Sequence, residues 1–275
     1  MTRINVLACQ LAIPQIRSAA ERDQHVTDSF ARIGAALADA DVAIEMVVLP
    51  ELSSIEYSRA SFECLDILAE PDEGPSFERA SEFAQRHRTT AMYGFARRDR
   101  RGTCISQGVV GPDGALIGCY DKLHLAQYGA SMEKEFFVPG ERLLSFDVGG
   151  ITVAPIICYD MRFPELARAL CVGRGAQLLV HCSAFYKDES YPSWASFVTA
   201  RAMENQVAML SLNRAGEGWG GTMICPPWCD EETPLRRLGT EEAFVHFTVD
   251  TEEIACVRTR HAFLRDRLIS YDLSG

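Results

Sequence analysis

The chain has 275 residues, 27 Lys and Arg against 38 Asp and Glu, and a formal net charge of −11. That acidic balance argues against nonspecific binding to nucleic acid or to an anionic membrane surface. A composition of 47% hydrophobic and 24% charged residues suits a globular enzyme with a sizeable core, built as one large α/β domain or two smaller ones.

Met1-Thr2-Arg3-Ile4 leads straight into a strand-like run over 4–10, without a basic leader and a long apolar segment behind it. No apolar stretch approaches the roughly 18–20 residues that span a bilayer. The expectation is therefore a soluble, cytoplasmic protein with no membrane partner. An amphipathic helix follows over about 21–40, then a short buried strand at 44–49, a helix at 76–88 and a strand at 91–96. The period then changes. Segments 104–111 and 115–120 flank Pro112-Asp113-Gly114, a turn signal that predicts a hairpin. A long loop over 122–142 ends in Val138-Pro139-Gly140.

Alternation resumes with strand 151–157, helix 164–173, strand 177–182, helix 192–205 and strand 207–213. Gly173 and Gly175 suit the end of the first of these helices. A second hairpin-like pair is expected between 219–225 and 244–249. Two α/β halves, each with an antiparallel addition, predict an α/β fold of two mixed β-sheets packed face to face with helices outside. No compositional break divides the chain, so 1–275 reads as a single domain.

Ten cysteines are scattered along the chain, several inside apolar strand-like runs. Without a leader, buried reduced thiols are the expected state. Cys225 and Cys229 form the only close pair, and no second pair or nearby histidine completes a zinc-like pattern, so no metal is expected.

Three segments place reactive groups at strand ends. Glu51 follows Val47-Val48-Leu49-Pro50, Lys122 follows Tyr120-Asp121, and Cys158 closes the apolar run Ile151 to Ile157. A carboxylate desolvated at a strand end gains a pKa useful to a general base. Pro164 suits the first position of a helix, whose positive end would lower the pKa of a thiol close by. Taken singly, each residue has an ordinary reading. Glu51 and Lys122 read as surface residues, Glu133 as part of a solvated charged run, and Cys158 as a core thiol.

Together, Leu49-Pro50-Glu51, Tyr120-Asp121-Lys122-Leu123-His124-Leu125 and Ile157-Cys158-Tyr159-Asp160-Met161-Arg162-Phe163-Pro164 resemble the three triad segments of the nitrilase superfamily of carbon-nitrogen hydrolases. Glu133, six residues before Pro139-Gly140, stands where that family places a second glutamate. The resemblance extends to Ser183-Ala184-Phe185, to 200–206, to Trp219-Gly220 and to 239–243. It implies a four-layer α-β-β-α sandwich and a Glu51-Lys122-Cys158 triad supported by Glu133. Cys158-Tyr159-Asp160-Met161-Arg162-Phe163 looks like the amidase branch that includes omega-amidases and deaminated glutathione amidases, rather than true nitrilases.

The implied reaction is cofactor-independent hydrolysis of a small, carboxylate-bearing amide through a cysteine thioester, with release of ammonia. The Tyr159 N–H would assist Lys122 at the oxyanion, and Arg162 would bind the substrate carboxylate or else pair with Asp160 or Glu165. Tyr57, Phe185 and Trp194 are candidate pocket walls. The resemblance also implies a homodimer or larger assembly, with a C-terminal tail over about 257–275 reaching the partner. An N-carbamoyl hydrolase shares the triad and is the nearest alternative; a catalytically silent binding protein of the same fold is the other. Three departures bear on the substrate: Ala126 where relatives often carry Phe, Cys182 where many have Pro, and 225–230 in place of the usual Asn-Pro-x-Gly turn.

Overall fold

The computed structural model describes residues 2–272. In chain order its first half comprises β1 (Arg3–Gln10), α1 (Ala19–Ala38), β2 (Met46–Val48), the single-turn helices α2 (Arg59–Phe62) and α3 (Leu65–Leu68), α4 (Pro75–His87), β3 (Thr90–Asp99), β4 (Gly102–Val110) and β5 (Leu116–Asp121). The second half comprises β6 (Phe146–Val148), β7 (Ile151–Ile157), α5 (Pro164–Arg168), β8 (Leu178–Cys182), α6 (Trp194–Asn205), β9 (Ala208–Leu212), β10 (Met223–Cys225), β11 (Arg236–Arg237), β12 (Ala243–Asp250), α7 (Thr251–Arg260) and α8 (Phe263–Asp266). No helix among the described residues is long and apolar enough to cross a membrane.

The strands form two six-stranded mixed sheets, ordered β12-β1-β2-β3-β4-β5 and β11-β10-β9-β8-β7-β6. Alternation along the strands explains the layers, because successive side chains point to opposite faces. Val6, Ala8, Met46 and Val48 of the first sheet share one core with Val153, Leu178, Val180 and Leu210 of the second, between the sheets. Leu7, Cys9, Val47 and Ala91 face the other way, onto Val26, Phe30 and Ile33 of α1 and onto Ala80, Phe83 and Ala84 of α4. Ile156, Leu179 and Met209 likewise pack on α5 and α6. The result is the α-β-β-α sandwich. Strands buried on both faces read as continuous apolar runs, which is how β7 and β8 look in sequence.

Local signals explain the ends of elements. Ser18 and Glu21 form a reciprocal capping box that starts α1, and Pro75 occupies the first turn of α4. Of the two hairpins foreseen, β4–β5 forms, and the structure adds two others. β3 turns into β4 between Asp99 and Gly102, and β6 turns into β7 through Gly149 and Gly150, both at positive φ.

The expected pairing of 219–225 with 244–249 does not form. β10 pairs with β9 and β11 in the second sheet, whereas β12 crosses to the first and runs antiparallel to all of β1, from Arg3 opposite Asp250 to Gln10 opposite Ala243. β1 would otherwise present an open edge of eight residues, and β12 satisfies those backbone groups while burying Val249 between the sheets.

Candidate active site

Glu51, Lys122, Glu133 and Cys158 come from four separate segments and converge at one end of the sandwich. Glu51 follows β2 in a tight loop docked on Gly94 of β3: the Ser53 hydroxyl donates to the Gly94 carbonyl at 3.0 Å, and the Ser54 N–H donates to the same oxygen at 3.1 Å. A Cβ at Gly94 would overlap the Pro50 carbonyl oxygen and lie 2.6 Å from the Leu52 nitrogen, so the approach requires glycine. Lys122 is the first residue beyond β5, its N–H bonded to the Ile105 carbonyl at 2.8 Å. Glu133 opens a 3-10 turn, Glu133–Glu135, inside the long loop.

All three side chains are fully buried. Lys122 Nζ donates to Glu51 Oε1 at 2.8 Å and to Glu133 Oε1 at 2.6 Å. The Ala184 N–H donates to Glu51 Oε2 at 2.7 Å, the Ala126 N–H to Glu133 Oε2 at 2.8 Å, and the Tyr57 hydroxyl to Glu133 Oε1 at 2.8 Å. Each carboxylate is therefore oriented by a backbone amide, Glu51 by one 133 residues away and Glu133 by one within its own loop. Glu133 does not follow the solvated reading of its charged run. Its neighbour Glu135 does, pairing with Arg59 at the surface.

Burial raises the Glu51 carboxyl, Lys122 pulls it back, and the Glu133 charge pushes it up again, leaving it above the ordinary carboxylate range. Burial alone would lower the Lys122 ammonium, but Glu133 and Glu51 outweigh it and hold the lysine charged. Burial also pushes the Cys158 thiol well up against the pull of Lys122. The expectation that a helix end lowers this pKa is not met. Cys158 opens a 3-10 turn, Cys158–Arg162, and α5 begins only at Pro164 and is five residues long. A neutral thiol beside a raised carboxylate needs proton transfer to become a nucleophile.

Cys158 adopts φ +43°, a left-handed conformation rare for a residue with a side chain. Its corner is braced by Asp160, a fully buried carboxylate. Asp160 accepts from the Ile157 N–H at 3.1 Å, the His124 N–H at 2.9 Å and the Tyr120 hydroxyl at 2.7 Å, and its Oδ1 lies 2.7 Å from His124 Nδ1. Tyr120 and His124 flank Lys122, so one carboxylate ties the lysine segment to the cysteine corner.

A cavity of about 220 Å³ reaches Cys158, lined by Tyr57, Ala126, Tyr128, Ala184, Phe185, Tyr186, Asp188, Ser190 and Trp219 among others. Of the expected walls, Tyr57 and Phe185 line it and Trp194 does not. Trp194 is fully buried behind Phe185, stacked on it at 5.1 Å, because its indole N–H is drawn to the Ser211 hydroxyl at 2.9 Å. The Tyr159 side chain packs away from the cavity, edge-on to Phe163 at 5.2 Å and beside Tyr128 at 5.3 Å. Its N–H belongs to the first turn of the 3-10 segment, where amides lack an intrahelical acceptor.

Arg162 pairs with neither Asp160 nor Glu165 among the described residues. It donates to the Ser193 hydroxyl at 3.0 Å and lies over the rings of Phe197 and Phe185 at 4.5 and 5.8 Å. Among the described residues its Nη2 is buried without a hydrogen-bond partner. Of the three departures, only Ala126 touches the cavity. Cys182 lies between the sheets, and Cys225 sits in the core under α6 with its sulfur 3.3 Å from that of Cys229. No group of three or more metal-ligating side chains occurs among the described residues.

Sequence reasoning missed the orienting Ala184 amide, Asp160 as a hub, and Tyr128, Tyr186, Asp188 and Trp219 as walls. Ser183-Ala184-Phe185 and Trp219-Gly220 did stand out as motifs, but nothing in their composition signals what their backbones or rings face.

Residues 8–230 match the model of the carbon-nitrogen hydrolase family. Omega-amidase NIT2 of Homo sapiens is 30% identical over 270 residues, 94% of this chain and 94% of that protein. The Mus musculus omega-amidase NIT2 is 28% identical over the same coverage. Among solved structures, Saccharomyces cerevisiae Nit3, a member of branch 10 of the nitrilase superfamily, superposes with a TM-score of 0.83 at 24% identity, covering 97% of each chain. A carbon-nitrogen hydrolase from Helicobacter pylori gives 0.83 at 22% identity, covering 98% of this chain and 96% of that one. At these identities the two structures establish the fold.

Proposed function

The chain belongs to the carbon-nitrogen hydrolase family, and from that premise we propose that it hydrolyses small, carboxylate-bearing amides through a Cys158 thioester and releases ammonia. The observation that carries this reading is the buried Glu51–Lys122–Glu133 array beside the cavity that Cys158 lines. Glu51 takes the proton from Cys158 Sγ as the sulfur attacks the amide carbon. The oxyanion that forms is held by the Lys122 ammonium and the Tyr159 N–H, donors of a kind that each contribute a few kcal/mol. Glu51 then hands its proton to the leaving nitrogen and the C–N bond breaks. Water enters, gives a proton to Glu51, and attacks the thioester. Sγ leaves with that proton restored to it. Glu133 keeps Lys122 charged and in place.

For the other end of the substrate we assign Arg162. Its unpartnered Nη2 and its position against Phe185, a cavity wall, support a role in binding a carboxylate. The omega-amidase relatives support the same substrate class. Since the two sheets share one core, we treat 1–275 as a single domain. We further propose a homodimer to which the C-terminal tail contributes. Phe263, Leu268, Ile269 and Tyr271 are exposed apolar residues in that tail, whose last three residues lie outside those described.

The test is ammonia release from α-keto acid ω-amides, simple aliphatic amides and carbamoyl amines by wild type and Cys158→Ala. Turnover by the wild type alone is expected. Equal rates would sink the assignment, and carbon dioxide released with the ammonia would transfer it to a carbamoyl hydrolase.

A further inference from the structure

On the face of the second sheet turned towards α6, two neighbouring positions interrupt the apolar pattern. His181 of β8 lies between Ile156 of β7 and Ser211 of β9 in the strand register, and both polar residues are fully buried. Burying an imidazole is costly unless both nitrogens are paired. Here both are. His181 Nε2 lies 2.9 Å from the Cys158 carbonyl oxygen, and Nδ1 lies 2.7 Å from the Ser211 hydroxyl, which accepts from the Trp194 indole N–H at 2.9 Å.

The chemistry of the end groups fixes every proton in this chain. A carbonyl oxygen only accepts, so Nε2 carries the hydrogen; an indole N–H only donates, so the Ser211 oxygen accepts there and turns its own hydrogen to Nδ1. Burial keeps the ring neutral, pushing its pKa down to about 4. The polar ladder therefore runs in one direction, from Trp194 through Ser211 and His181 to the nucleophile's own carbonyl.

That carbonyl and the Tyr159 N–H are the two ends of one planar peptide and point in opposite directions. A donor that holds the oxygen on the sheet side fixes the hydrogen on the other side. It also polarises the peptide, which strengthens the N–H as a donor. At Cys158 the backbone is left-handed and enters only a short 3-10 turn, so the His181 donor adds a second, fixed tether to this peptide.

We infer that His181 is a positioning residue: through its bond to the Cys158 carbonyl it aims the Tyr159 N–H at the oxyanion formed on the substrate. This rests on the amide-hydrolysis reading above. It adds a residue whose contact is with the peptide and not with the substrate.

The experiment compares His181→Phe and His181→Gln with wild type in kcat and KM on an amide the wild type hydrolyses. Alongside these, the rate of Cys158 alkylation by iodoacetamide is followed by peptide mass spectrometry. Alkylation is displacement at a saturated carbon and forms no oxyanion, so it reports the thiol without the donor. For His181→Phe, kcat is expected to fall about 10- to 100-fold, less than the loss of a whole oxyanion donor, with KM within about twofold. Its alkylation rate should stay near that of wild type. His181→Gln, whose amide N–H can reach for the same carbonyl, should recover part of the loss.

An unchanged kcat in His181→Phe overturns the inference. So does a parallel loss of turnover and alkylation, which marks a collapsed corner. If His181→Phe does not fold, Ser211→Ala, which removes the group that fixes the ring's tautomer, is read by the same two rates. Wild type inactive on every amide overturns the hydrolase reading and this inference together; active wild type with an unaffected His181→Phe overturns this inference alone.

Discussion

At the scale of single residues, three buried charges decide the chemistry. Lys122 has a carboxylate on either side, and neither carboxylate is surrounded by water. Glu51 must be ionised to accept the thiol proton. Because burial and Glu133 raise its pKa, the acid limb of kcat/KM should lie above the ordinary carboxylate range, with activity rising as pH climbs through it. Lys122 is held charged well past its usual pKa, so its deprotonation should set no alkaline limb near neutrality. A pH–rate profile checks both signs. Glu51→Gln keeps the shape and removes the base, and kcat should drop by at least about 100-fold with the fold intact by circular dichroism. Ala126 tests the cavity. Ala126→Phe should fill part of its about 220 Å³ and raise KM for larger amides more than for small ones, as a substrate series would show.

Lys122 alone read as a surface lysine, and only its place in a three-segment pattern marked it. No local signal could have placed it, since its burial depends on residues 71 and 11 positions away. Arg162 shows the reverse. Its neighbours Asp160 and Glu165 suggested a local ion pair, but Asp160 is engaged by the Ile157 N–H and by three groups of Tyr120 and His124, and the guanidinium lies against two aromatic rings.

Secondary-structure elements bring these residues together by ending where they do. β2 stops at Val48, and the chain folds back onto β3 because Gly94 lets the loop backbone approach. Gly94→Ala should therefore push the 50–54 loop away, destabilising the protein by about 1–3 kcal/mol as overpacking does. Activity should fall further than stability accounts for, because Glu51 moves with the loop. Thermal unfolding and kcat measured on the same sample separate the two effects. Strands with strong apolar runs, such as β1, β7, β8 and β9, are legible from sequence because both faces are buried. β6 is three residues long and was not, since so short a segment has no period to read. The partner of β12 was also hidden, because alternation marks a strand without saying which edge it completes.

At the scale of the whole molecule, the sandwich closes one end of its two sheets around a small cavity and leaves an apolar tail exposed. Ile269 is 93% exposed and Leu268 60%, unusual values for aliphatic side chains unless something covers them. Truncation after Asp266 should lower the assembly's mass in light scattering, and an unchanged mass would remove the tail from the interface. The sequence by itself determined most of the strand and helix order, the two-sheet architecture and the family, and it singled out Glu51, Lys122, Glu133 and Cys158. Those follow from local periodicity and from motifs that a chain carries in its own order. Only the tertiary structure decided that β12 crosses to the first sheet, that Trp194 lies behind the pocket while Trp219 lines it, and that burial leaves the Cys158 thiol neutral. It also decided that His181 and Asp160 brace the cysteine corner. These depend on what faces what across long separations, and a side chain's pKa, burial and partner are properties of that surrounding and not of its neighbours along the chain.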